Sequence, residues 1–117
     1  MEKRIREVAS GVAQITGARI DVRFQRGYPV TVNHAGQTET AIRIAREIAG
    51  DDNVHDTPPM MGAEDFAYML EARPGAFIFV GNGDSAGLHH PAYNFNDDAI
   101  AYGASYWVRL VETTLSV

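Results

Sequence analysis

The sequence predicts an α/β fold, and three observations carry that prediction. Apolar residues recur at helical spacing in several separate stretches. The run "AFIFVG", residues 76 to 81, is apolar without alternation. The segment "ARIDVRFQRG", residues 18 to 27, alternates apolar and polar residues strictly. An unbroken apolar run suits a strand covered on both faces, and strict alternation suits a strand with one wet face. Helical and strand-like stretches follow one another along the chain instead of segregating, which is the α/β pattern.

Taken in order, Ile5, Val8, Val12 and Ile15 are spaced three, four and three, so residues 2 to 15 form a helical stripe. Gly17 follows it, where a left-handed helix end favours glycine. Ile20, Val22 and Phe24 then alternate with Arg19, Asp21, Arg23 and Gln25 as a strand with one buried face. "GYPVTVNHAGQ" interrupts this order with glycines and a proline, and it places a boundary between two units near Gly27 to Val32. Beyond it Thr38 caps a helix with Glu39 in its first turn. Ala41, Ile42, Ala45, Ile48 and Ala49 form its buried side, and Gly50 stops it. "DDNVHDTPPMMG" reads as loop, with a short strand near Val54. "AEDFAYMLEARPG" is a short helix ended by Pro74 and Gly75, and the buried strand follows. "GNGDSAG" is a flexible loop without the lysine of a phosphate-binding loop. Asn96 caps a last helix whose apolar residues are Ile100, Ala104, Trp107, Val108, Val111 and Leu115.

A chain of 117 residues with 45% apolar content can build one compact domain or part of a larger one. Its formal charge of −5 leaves no basic stripe for nucleic acid. The lack of cysteine excludes disulfides, thiolate nucleophiles and sulfur-ligated zinc. No apolar run approaches the ~20 residues of a membrane span, and "MEKRIREVAS" lacks the apolar centre of a secretion signal. The expectation is a cytoplasmic chain with no membrane partner. The front helix and strand cannot bury both of their faces alone, so they belong to a sheet whose other strands lie elsewhere.

The chemistry-bearing residues gather in two places. His89 and His90 end the glycine-rich loop. Imidazole binds zinc or manganese through one nitrogen and is fixed through the other. Pro91 biases His90 toward extended backbone, where neighbours point opposite ways, so at most one of the pair is a ligand. Both could equally be loop histidines held by backbone carbonyls. Glu64 and Asp65 open a helix, where the dipole favours carboxylates, yet they follow "PPMMG" on an approach loop of the kind that lines clefts. Asp97 and Asp98 read as helix-end acids, and His34 and His55 as surface residues. A catalytic zinc usually takes three protein ligands. Local spacing offers one, so most of any metal site lies outside this sequence.

"MMGAEDF", "RPGAFIFVGNG" and "LHHPAYNFNDD", followed by a helix beginning "AIAYGA", resemble the C-terminal end of the amidohydrolases of the M20 metallopeptidase family. That family includes hippurate hydrolases, N-acyl-amino-acid amidohydrolases and indole-acetyl-amino-acid hydrolases. The resemblance covers roughly residues 28 to 117. Residues 1 to 27 resemble, less specifically, the last helix and strand of the family's lid or dimerisation domain. It implies an α/β catalytic domain holding two divalent metals (zinc, manganese, cobalt or nickel) that cleaves the amide of an N-acyl amino acid with a glutamate as general base. By motif His89 matches a metal ligand of the final loop, while Glu64, Asp65 and His90 become polar residues of the cleft or supports for the ligands. The general base and the other ligands match nothing in this chain, so no catalytic residue is assigned within it. A homodimer through the lid piece is implied as well. Two other readings stand beside this one: a non-catalytic binding or self-assembly module, and a self-sufficient enzyme with Glu64 and His89 as an acid–base pair.

Overall fold

A computed structural model describes residues 1–115; the last two residues of the 28–117 unit lie outside the described residues. Four α-helices form: α1 Glu2–Thr16, α2 Ala35–Ala49, α3 Phe66–Ala72 and α4 Asp98–Thr114, with a 3₁₀ turn at Asp51–Asn53. Among the described residues there is no β-strand. The strand expected at Ile20, Val22 and Phe24, the one at residues 76 to 81 and the short one near Val54 are all extended segments without a ladder. The reason is elementary: a strand exists only by exchanging backbone hydrogen bonds with a neighbour, and these segments have no neighbour to pair with.

The helix ends follow local chemistry. Gly17 closes α1 at φ 69°, the left-handed conformation expected of it. Gly50 ends α2 and gives its N–H to Arg46 O. Asn96 Oδ1 accepts the Asp98 N–H at 3.0 Å and so caps α4 as its sequence position indicates. α2 departs from expectation by starting at Ala35, with His34 as its cap residue. Thr38 lies inside the first turn, where its hydroxyl donates to His34 O at 2.9 Å. His34 is not a free surface residue. Its N–H donates to Gly75 O at 3.0 Å, and its Nδ1 accepts the Gly75 N–H at 3.2 Å. Next to it the Asn33 side chain donates to Phe77 O at 2.9 Å and accepts the Phe77 N–H at 2.8 Å. One side-chain amide thus does for the segment after α3 what a partner strand's peptide would do.

The core sits between α2 and α4. Ala41, Ile44 and Tyr106 are buried together, with Ala45, Ala76 and Leu110 packed around them. Ile44, at the centre of the expected α2 stripe but outside the residues expected to line it, is the fully buried side chain. α4 buries a different side from the one expected. Tyr106 and the half-buried Leu110 pack with residues of α2, whereas Ile100, Trp107, Val108 and Val111 are all more than half exposed. A helix apolar on two sides is built to be covered on two sides. Arg109 Nε donates to Glu47 Oε2 at 2.7 Å across the helix pair. That hydrogen bond holds the Glu47 carboxyl below its ordinary range.

α1 touches no other helix among the described residues. The segment after it is held by charge: Arg6 donates to Val22 O at 3.0 Å and to Glu2 Oε1, and Arg26 reaches Glu2 Oε2 at 3.0 Å. Ile5, Val8, Val12 and Ile15 are 41–87% exposed. The whole chain spans 67 × 38 × 20 Å with a radius of gyration of 20.8 Å, against about 13 Å for a compact domain of this length. It exposes 9908 Å², where a folded monomer of its mass exposes ~6300 Å². Many large apolar side chains lie within that exposed surface.

Replacing Ile44 with Ala is expected to destabilise the α2–α4 pair by about 2–5 kcal/mol, read by urea titration on Trp107 fluorescence. The Glu47–Arg109 pair gives a second expectation. Its carboxyl is depressed in the folded chain, so its contribution is fully present above the ordinary carboxylate range and is lost as the pH falls below that range. Both partners are solvated, so the effect is small. Acid titration of the Tyr106 ring signals by NMR should show it, and Glu47→Gln should remove it.

Candidate functional site

The glycine-rich loop, expected to be flexible, is crossed by side-chain hydrogen bonds at its neck. Asn82 closes its neck. The side-chain Nδ2 donates to Ser85 Oγ and to Asn94 O, both at 2.8 Å. The Oδ1 accepts the Asn96 N–H, also at 2.8 Å. Gly83 takes φ 75° beside it, and a Cβ there would lie 3.4 Å from the Asn96 amide. The loop between these points carries both histidines.

Two consecutive tight turns set the histidines apart. In the first, the His90 N–H donates to Gly87 O at 3.1 Å, which places Leu88 and His89 at the centre. His89 is the one described non-glycine residue at positive φ, 67°. That seat in a turn favours glycine or asparagine, and an ordinary side chain there costs roughly 1–2 kcal/mol. In the second turn, the Tyr93 N–H donates to His90 O at 2.9 Å, around Pro91 and Ala92. Proline suits the second position of such a turn. Because His89 sits inside a turn at positive φ, the pair is separated by turn geometry and not by a run of extended backbone through both residues.

The hydrogen bonds separate the two imidazoles chemically. The Ala92 N–H donates to His90 Nδ1 at 3.0 Å. A backbone N–H can only donate, so Nδ1 of His90 is unprotonated and occupied, and in the neutral ring the proton sits on Nε2. Neither nitrogen of His90 then offers a lone pair. The exposed His89 imidazole has no hydrogen-bond partner among the described residues, so it retains a free lone pair.

Glu64 and Asp65 sit at the start of α3. Glu64 Oε1 accepts the Phe66 N–H at 3.0 Å, so this half-buried carboxylate caps the helix from just before it. Asp65 is exposed, with its carbonyl taking the Tyr68 N–H at 3.0 Å. No hydrogen bond or ion pair among the described residues joins this pair to the histidine loop. His55 is exposed, as its sequence position suggests. Asp97 makes no capping hydrogen bond with its side chain; Asn96 does that work. Among the described residues no three His, Asp or Glu side chains converge in a way that could hold a metal ion. The donors present fit one corner of a nitrogen- and oxygen-ligated metal centre, and no more.

Sequence reasoning missed Asn82. The available signal was the Asn-Gly dipeptide, which marks a turn, but two of the three partners of Asn82 lie twelve and fourteen positions away and no local pattern names them.

The sequence model of peptidase family M20/M25/M40 matches residues 3–113. The chain belongs to that family. This M20 chain is 34% identical over 109 residues to a putative amidohydrolase, YhaA, of Bacillus subtilis, an alignment covering 89% of the chain and 28% of the relative. It is 32% identical over 110 residues to a hippurate hydrolase of Campylobacter jejuni, covering 93% of the chain and 29% of the relative. An N-acetyldiaminopimelate deacetylase of Streptococcus thermophilus is 30% identical over 105 residues, 90% of the chain and 28% of the relative. The M20 chain thus spans little more than a quarter of the length of these relatives. Membership implies an α/β peptidase fold, to which the four helices and the unpaired extended segments would contribute. No solved structure matches the chain. Among the described residues no helix is long and apolar enough to cross a membrane.

The strained turn yields a direct expectation. His89→Gly should relieve the positive φ and slow hydrogen exchange of the His90 N–H by up to about tenfold, measured by NMR against the wild-type chain.

Proposed function

We propose that this chain is the C-terminal portion of a cytoplasmic, metal-dependent amidohydrolase that cleaves N-acyl amino acids of the hippurate type. In this reading His89 supplies one ligand of the metal site. One observation carries it: in a chain matched to M20 over nearly its whole length, one histidine of the pair keeps an uncommitted imidazole on a strained turn, while the other is tied to its own backbone. Strain of this kind gathers where a side chain must be aimed.

Residues 1–27 belong to the lid or dimerisation domain and residues 28–117 to the catalytic domain. A pair of divalent metals, when bound, supplies Lewis acidity toward the scissile carbonyl and an acidified water. Zinc, manganese, cobalt and nickel all suit nitrogen and oxygen donors. This chain's own residues do narrower work. His89 presents a nitrogen lone pair. His90 locks the second turn through Nδ1 and holds the loop's course after the ligand. Glu64 fixes the start of α3, with Asp65 beside it at the edge of the cleft. The general base and the remaining ligands come from the other three-quarters of the enzyme.

The test combines the chain with a separately produced N-terminal three-quarters of the Bacillus subtilis relative, in the presence of manganese, and follows hippurate hydrolysis. The chain alone is expected to give no turnover. The combination is expected to turn over, with His89→Ala lowering the rate at least 100-fold and His90→Ala by less than tenfold. Stoichiometric metal on the lone chain, lost in His89→Ala, would overturn the reading and favour a self-sufficient enzyme.

A second reading, a self-assembly module without chemistry, draws on α1. Its stripe of Ile5, Val8, Val12 and Ile15 lies open and packs on no other helix, as a surface that pairs with a second copy would. The same stripe serves the homodimer of the first reading. Activity in the combined preparation separates the two.

A further inference from the structure

The geometry points to Asn82 as the positioning residue for His89: by closing the neck of the loop with three hydrogen bonds, it holds the turn in which His89 takes its positive φ. This rests on the reading of His89 as the functional donor of the loop, but its test does not.

The connections run without a gap. Tyr106 of α4 is buried against Ile44 and Ala41 of α2, so α4 is the fixed body. Asn96 caps α4 through Oδ1 and gives its own N–H to Asn82 Oδ1. Asn82 returns its two amide hydrogens to Asn94 O and Ser85 Oγ, one on each arm of the loop. A primary amide is the side chain that can do this, since it offers two donors and an acceptor from one short stem. The loop has no buried apolar side chain between Gly83 and Phe95, so packing does not hold it. Without the clamp, only the turns' own hydrogen bonds oppose the cost of keeping His89 at φ 67°, and the turn would relax to negative φ. A donor on a relaxed loop must be ordered each time it binds, whereas a clamped one is ordered in advance.

The experiment uses the full chain, labelled for NMR, as wild type, Asn82→Ala and Asn82→Asp. The first readout is the intraresidue amide-to-Hα NOE of His89, which is strong at positive φ and weak at negative φ. The second is hydrogen exchange of the His90 and Tyr93 amides. The Ile44 methyl and Tyr106 ring signals report whether the α2–α4 body is intact. Wild type is expected to show the strong His89 NOE. Asn82→Ala is expected to lose it and to speed exchange at His90 and Tyr93 by about tenfold, the worth of one to two net hydrogen bonds, with Ile44 and Tyr106 unmoved. Asn82→Asp keeps the acceptor for Asn96 but loses both donated bonds, and it should fall between the two. It also decides the matter if the alanine variant fails to fold. An unchanged His89 NOE and unchanged exchange in either folded variant would overturn the proposal. A failure of His89→Ala to affect hippurate hydrolysis would remove the ligand reading and leave the clamp standing.

Discussion

The contact between Ile44 of α2 and Tyr106 of α4 is the one on which the rest of the structure depends. It is small, a cluster of three buried residues with three more packed around it, yet both functional segments hang from its two helices. At the start of α2, Asn33 and His34 hold the backbone of Gly75 and Phe77 and so fix the segment after α3. At the start of α4, Asn96 and Asn82 hold the histidine loop. In each case an asparagine side chain bridges extended segments that lack a strand partner. Backbone polar groups need partners wherever they are, and here side-chain amides supply several of them.

How much of this was legible in the sequence divides by range. Helix ends were legible because their causes are local: Gly17, Gly50, Asn96 and the Pro74–Gly75 pair act on their own neighbours. The interior face of α4 was not. Its two apolar stripes, one through Tyr106 and Leu110 and one through Trp107, Val108 and Val111, carry equal pattern, and periodicity cannot say which is covered first. The strands failed for a different reason. Alternation at Ile20, Val22 and Phe24 describes what the segment would bury in a sheet, but a sheet needs strands this chain does not contribute. Of the site, the histidine pair and the view that at most one is a ligand were readable. The means of discrimination was not, because it lies in a hydrogen bond from Ala92 and a positive φ that no spacing rule foretells.

In the proposed reading, the exposed apolar surface and the lone uncommitted imidazole have the same origin. A chain that aligns to little more than a quarter of its relatives leaves α1 bare on one stripe, α4 bare on one face and a single imidazole without companions. Each of these would be a defect in a self-contained domain. Under that reading they are mutually consistent, since a body large enough to cover Trp107 and Val111 would also be large enough to bring further ligands.

Two identical neighbours, His89 and His90, carry different chemistry because the backbone between them turns twice. His90 has its Nδ1 filled by an N–H two residues on, and with it loses the freedom to offer Nε2 as a lone pair. His89 keeps that freedom, at the cost of a conformation that side chains avoid. Exchanging the two roles would require moving the turns, not the residues. The order Gly87, Leu88, His89, His90, Pro91 therefore has a physical content beyond its letters. Gly87 and Pro91 define the two turns, and the histidine between Leu88 and the proline-bound one is left as the side chain free to bind.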